Sequence, residues 1–266
     1  MKKSIAVIAA LAALAAPISA SAHRAWLLPT STVLSGADAW VGFDAGMSNG
    51  VFIADHAAMR MDGLTITAPD GSTIAPENLT QGHYRSTFDA HLTQQGTYRV
   101  ANVMTGVVVS YKVDGQTVRW RGAEADIAAN VPAGAADVTA TRSDSRVETY
   151  VTLGAPTETV FEATGKGLEL QPVTHPNDLV AGEEATFKLL RDGQPAADMD
   201  VTIARGGSRY RDAMGDVTVH TGADGSFSYT WPEAGMYWMN ASIRTPAQGD
   251  QLASSAQYNG VVEVLP

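Results

Sequence analysis

The stretch ISASAHRAWLLP, Ile18 to Pro29, sets an Ala-Ser-Ala triplet directly before His23. A cut after Ala22 would give His23 both a free α-amine and an imidazole. That pair chelates Cu(II) or Ni(II) once a further histidine stands nearby, and no internal histidine offers it. His56 is the first candidate partner. It follows Asp55 in VFIADH, where a carboxylate can fix the ring's tautomer or share the metal. His91 and Asp89 stand two residues apart in YRSTFDAHL, so an extended backbone puts both on one strand face. His175 precedes Pro176, which holds it extended. Each has a plain alternative: a satisfied loop histidine at 56, an ordinary polar strand face at 91, a turn cap at 175. His83 and His220 read as structural or solvated. Thioethers are a second ligand type, and Met59, Met61, Met236 and Met239 lie in two clusters; core filling is the better account of both. Arg205, Arg209 and Arg211 read as a solvated hairpin loop rather than an anion site.

The residues upstream of His23 carry a secretory signal pattern. Met1-Lys2-Lys3 is a short positive start, Ile5 to Ala16 an apolar run, and Pro17 ends it before Ala20-Ser21-Ala22. The run is too short to span a bilayer. Residues 1–22 are therefore expected to be a cleaved signal, and the mature protein to be periplasmic. A cut after Ala20 would place His23 third, in Ser21-Ala22-His23, where an amine, two amides and an imidazole suit square-planar Cu(II) or Ni(II).

Composition narrows the rest. The formal charge is −10, with 28 acidic and 18 basic residues, which argues against nucleic acid and anionic membranes as partners. There is no cysteine, so a metal site must use His, carboxylate, Met or the terminal amine. No second apolar stretch approaches spanning length, so no membrane insertion is expected after processing. No G-x-S-x-G elbow, H-E-x-x-H motif or phosphate loop is present. No enzymatic activity is expected.

The elements that must position these side chains read as β almost throughout. Asp-Gly pairs at 62, 70, 114, 192 and 224 punctuate the chain, several of them between alternating runs. VVVSYKVDGQTVRWR is the clearest hairpin. YRSTFDAHL sets Tyr84, Phe88, Ala90 and Leu92 on one face. The one helical candidate is Glu124 to Ala136, interrupted by Pro132. Short strands at regular spacing after residue 166 suggest an immunoglobulin-like sandwich. The expectation is an all-β protein of two tandem β-sandwich domains, residues 23–165 with the candidate metal site and residues 166–266 immunoglobulin-like. The boundary falls at Gly165 to Gly167, where few contacts need cross.

The stretch AHRAWLLP resembles the A-H-x-x-W-L-x-P start of periplasmic domain-of-unknown-function family forty-one ninety-eight. FIADHAAMRMDGLTITAPDG and APENLTQGHYRSTFDAHLTQQGTYRVA look like that family's first domain. GLELQPVTHPNDLVAGE and TGADGSFSYTWPEAGMYW look like its second, of carboxypeptidase-regulatory-like type. The resemblance implies a periplasmic accessory role in nickel or cobalt uptake, with a membrane metal transporter or an outer-membrane receptor as partner. By motif position it marks His23, His56 and His175. The expected function is binding of a divalent transition metal (Ni, Co or Cu) by His23, His56, His175, His91 and Asp55. Two other classes fit the same residues: a histidine-brace copper protein or monooxygenase, and a non-catalytic immunoglobulin-like structural or adhesion module.

Overall fold

The computed structural model describes residues 23–266; the signal-like segment 1–22 lies outside the described residues. Three antiparallel-rich sheets account for most of it, and the expected all-β sandwich architecture, immunoglobulin-like in its C-terminal part, is what the chain adopts. The first sheet holds Arg24–Pro29, Ala39–Ser48, Ser86–Leu92 and Glu77–Gln81 in that order, with Ala57–Ala58 also paired to Ala39–Ser48. The third sheet groups Leu168–Pro172, Glu184–Arg191, Gln194–Pro195 and Ser226–Thr230. Between them runs the long second sheet, from Val217–His220 through Ala253–Val264, Ala136–Leu153 and Gly96–Val113 to Thr73–Ile74.

The packing follows from side-chain alternation. Along Ser86–Leu92, Ser86, Phe88, Ala90 and Leu92 are buried and the residues between them are not. Tyr84, which the alternation places on that face, lies before the strand and is exposed. Phe43, Phe88 and Leu27 from the first sheet meet Tyr98, Val100 and Val151 of the second to form the N-terminal core. Phe187, Leu189 and Phe227 of the third sheet meet Ile203, Tyr237 and Met239 of the second to form the C-terminal core. Asp114 and Gly115 both have positive φ (50° and 78°), as a two-residue hairpin turn between Gly96–Val113 and Gln116–Gly122 requires. The helical candidate shrinks to one 3-10 turn, Glu124–Asp126, and Ile127–Asn130. Val131, held extended before Pro132, ends it.

The two cores separate near the expected boundary, but the sheet does not. Ala253–Val264 pairs in parallel with Ala136–Leu153, from Thr141 opposite Ala253 to Thr149 opposite Val261, so one sheet serves both sandwiches. The Gly165 to Gly167 segment is also bound down. Glu169 accepts the backbone N–H groups of Thr164, Gly165 and Lys166, and Asp192 accepts that of Gly167. Beneath it Arg146, on the shared strand, reaches Glu148 at 3.3 Å and Glu169 at 3.1 Å, all three buried. A third apolar cluster of Trp26, Val51, Ala204, Trp238 and Val261 packs residues from both halves together. Tandem sandwiches were legible locally; their fusion depends on which strand edges meet.

Candidate metal site

His23 and His56 are brought together by strand pairing. Arg24–Pro29 and Ala57–Ala58 both run antiparallel to Ala39–Ser48, one on each side, with Ala25 and Ala57 both opposite Met47. Each histidine stands one residue before its strand, at the end where the central strand stops at Ser48. The two imidazoles stack there, ring centroids 3.5 Å apart and planes within 9°. His23 is half-buried and His56 exposed.

The position of His23 is set by three anchors on the residues that follow it. The Trp26 indole, 2 % exposed, donates to Ser48 Oγ at 2.7 Å and packs in the cluster that joins the halves. Trp238 Nε1 donates to the Ala25 carbonyl at 2.8 Å. Arg24 pairs with Asp216 at 2.6 Å and lies 4.9 Å over the Trp238 ring. Trp26 thereby holds the segment that follows His23 against the sandwich. The contribution of Trp238 and Asp216, from the other half of the chain, had no local signal.

Asp55 does not turn toward the rings. One carboxylate oxygen accepts the Asn49 backbone N–H at 3.0 Å and the other its side-chain amide at 3.4 Å, closing the loop that delivers His56. His91 lies against Asp38 and stacks on Trp40, centroids 4.3 Å apart; its strand neighbour Asp89 instead accepts from Asn78 at 2.8 Å. His175 has both ring nitrogens engaged. Nδ1 accepts the Asn177 N–H at 3.1 Å, so Nε2 carries the proton that it donates to Thr97 Oγ1 at 2.9 Å. Burial holds His175 below the usual imidazole range, so the ring stays neutral. Of the five expected ligands, the pair His23 and His56 is the one the fold assembles. Among the described residues no group of three or more His, Cys, Asp or Glu stands ready to hold a metal.

A cavity of about 390 Å³ opens beside His23, at the mouth of the N-terminal sandwich. Met47, Met59, Met104, Asn102 and Arg121 are among the residues that line it. Met47 and Met104 lie far from either methionine cluster in sequence, and only the pairing of their strands marks them.

The fold and this site define a class: an all-β protein of two sandwiches on one shared sheet, with a histidine pair at one sandwich mouth. The chain belongs to the family described as Domain of unknown function (DUF4198), whose model matches residues 20–245. No curated protein matches it in sequence. Among solved structures it is similar to the D0-D1 domain of Intimin, at 12 % identity over 90 % of this chain and 97 % of that one, with a TM-score of 0.24. The human OSCAR ligand-binding domain is similar at 16 % identity over 92 % and 100 %, TM-score 0.22. Trypsin-activated alpha-2-macroglobulin from Escherichia coli is similar at 11 % identity over 92 % of this chain and 16 % of that one, TM-score 0.23.

Proposed function

We propose that this is an exported, periplasmic protein that binds a divalent transition metal through His23 and His56. It would serve nickel or cobalt uptake, or uptake of a related metal, by presenting the ion to a membrane transporter or outer-membrane receptor. The observation that carries the reading is the stacked pair itself. Two imidazoles from distant parts of the chain sit 3.5 Å apart, so two nitrogen donors are brought to one place at the sandwich mouth. With the signal removed after Ala22, the His23 amine adds a third nitrogen on the residue already in place. Three neutral nitrogens suit Ni(II) and Cu(II), with Cu(II) bound more tightly by the Irving–Williams order. The anchors on Arg24, Ala25 and Trp26 would hold His23 in position before the ion arrives.

The test is calorimetry with Ni(II), Co(II) and Cu(II) on three proteins: one beginning at His23, one with a single extra residue before it, and His56→Ala. The extra residue replaces the amine with a poorly basic amide while keeping the imidazole. Each change is expected to weaken binding more than tenfold, about 1.4 kcal/mol or more. Binding should also fall as pH drops through the imidazole and amine range. Equal affinities for all three would overturn the reading. Binding rather than catalysis is proposed; oxygen consumption by the copper-loaded protein with a reductant, above that of free copper, would contradict it.

A further inference from the structure

The N-terminal sandwich changes chemistry at its mouth. On its inner faces the side chains alternate, so Leu27 and Ala25 share a face with His23, Ala45 with Met47, and Val100 with Asn102 and Met104. Toward the core these positions are apolar and packed. Toward the opening they become imidazole, thioether and amide, and they line the 390 Å³ cavity instead of filling it. Met59, 5 % exposed, belongs to both core and cavity. Methionine ordinarily serves to fill irregular gaps. Here three of them surround a space, and Met47 is 37 % exposed at its rim.

The wall has one unfulfilled group. Asn102, 2 % exposed, donates through Nδ2 to the Arg60 carbonyl at 2.8 Å, which settles the orientation of its amide. Its Oδ1 is then buried without a hydrogen-bond partner. A buried carbonyl oxygen left this way costs about 1–3 kcal/mol. No carboxylate lines the cavity among the described residues. Of its two guanidinium side chains, Arg60 is paired with Asp62 at 2.6 Å and Arg121 is exposed to solvent.

We propose that this cavity is a thioether site for a soft monovalent cation, Cu(I), held by Met47, Met59 and Met104 with the His23 imidazole. Neutral sulfur and imidazole donors without a carboxylate or thiolate select a soft, singly charged ion over Ni(II) or Co(II). The site rests on the divalent reading only through His23, which both share. One imidazole at the edge of the cavity would therefore face nitrogen donors on one side and sulfur donors on the other.

The experiment titrates Cu(I) anaerobically against bicinchoninate, with Ag(I) as a redox-inert probe, on the full chain beginning at His23. Met47→Leu and Met104→Leu keep volume and apolarity while removing sulfur, and Met61→Leu, outside the cavity, is the control. Each cavity variant is expected to bind Cu(I) and Ag(I) at least tenfold more weakly, with Ni(II) affinity and thermal midpoint unchanged. Copper X-ray absorption should show fewer sulfur neighbours in each. Met61→Leu should behave as the parent protein. The proposal is overturned if bicinchoninate strips Cu(I) from the parent and the Met47→Leu/Met104→Leu double variant equally, or if Met61→Leu weakens binding as much as the cavity variants. Retained Ni(II) binding in that case would leave the His23 and His56 reading standing. Conversely, Cu(I) binding lost in the methionine variants, alongside divalent binding indifferent to His56→Ala, would sink that reading and keep this one.

Discussion

Arg146→Met tests the joint between the two sandwiches. Arg146 sits on the strand both of them share, within 3.3 Å of Glu148 and 3.1 Å of Glu169, and all three side chains are buried. Thr164 Oγ1 accepts from the same guanidinium at 3.1 Å, and the Tyr150 hydroxyl donates to Glu148 at 3.1 Å. Methionine replaces the length and apolar stem of arginine but leaves both carboxylates buried without their cation. Breaking such a pair costs about 3–5 kcal/mol. For a chain of this size each kcal/mol moves the thermal midpoint about 2–4 °C, so a drop of about 6–20 °C is expected near pH 7.

The pH dependence separates lost charge from lost packing. Burial pushes the Glu169 carboxyl up, but the Thr164 hydroxyl and N–H, the Arg146 charge and the Gly165 N–H outweigh it and hold it below the usual range. A carboxylate with a depressed folded pKa stabilises the fold above its unfolded value, near about 4.3, and that contribution is lost as pH falls through the folded value. In Arg146→Met the Glu169 carboxyl loses the cation that helps hold it low and can take up its proton at higher pH, so the gap between variant and parent should narrow toward about pH 4. Urea unfolding at both pH values measures it. A cost under about 1 kcal/mol at neutral pH would refute the reasoning. So would an equal cost at both, which would mean the arginine acts through its packed stem.

Three further outcomes follow from neighbouring contacts. Gly46→Ala places a Cβ 2.8 Å from Trp26 Cζ2, so urea unfolding should show a loss of about 1–3 kcal/mol. Trp238→Phe removes the bond to the Ala25 carbonyl; it should cost about 1 kcal/mol and weaken Ni(II) binding several-fold by calorimetry, although Trp238 lies in the other half of the chain. His175, held neutral by burial, should make the parent lose stability as pH falls from about 7 toward about 5, because the unfolded imidazole takes its proton near about 6.5. His175→Gln should flatten that part of the profile in thermal melts.

Much of the fold was written locally. The Asp114-Gly115 turn, the alternation through Phe88, Ala90 and Leu92, and the stop before Pro132 each need only neighbours a few residues away. The likeness of AHRAWLLP and THPNDLVAGE to one family was legible in the same way, and the family match bears it out. What the sequence could not show is which edges and rings meet across long separations. His23 led the candidates by residue type and position, but its partner was open among His56, His91, His175 and Asp55. Pairing on both sides of Ala39–Ser48 then set His56 against His23, while Asp38 and Trp40 took His91, and Thr97 and Asn177 took His175. The parallel register of Ala253–Val264 on Ala136–Leu153 decided that two sandwiches share one sheet, and Trp238 thereby became a support for Ala25. Turn geometry and side-chain period are properties of adjacent residues, so they survive in a one-dimensional reading. Strand partners are chosen by edge complementarity and by which apolar faces can be buried together, and those quantities exist only once the chain has folded.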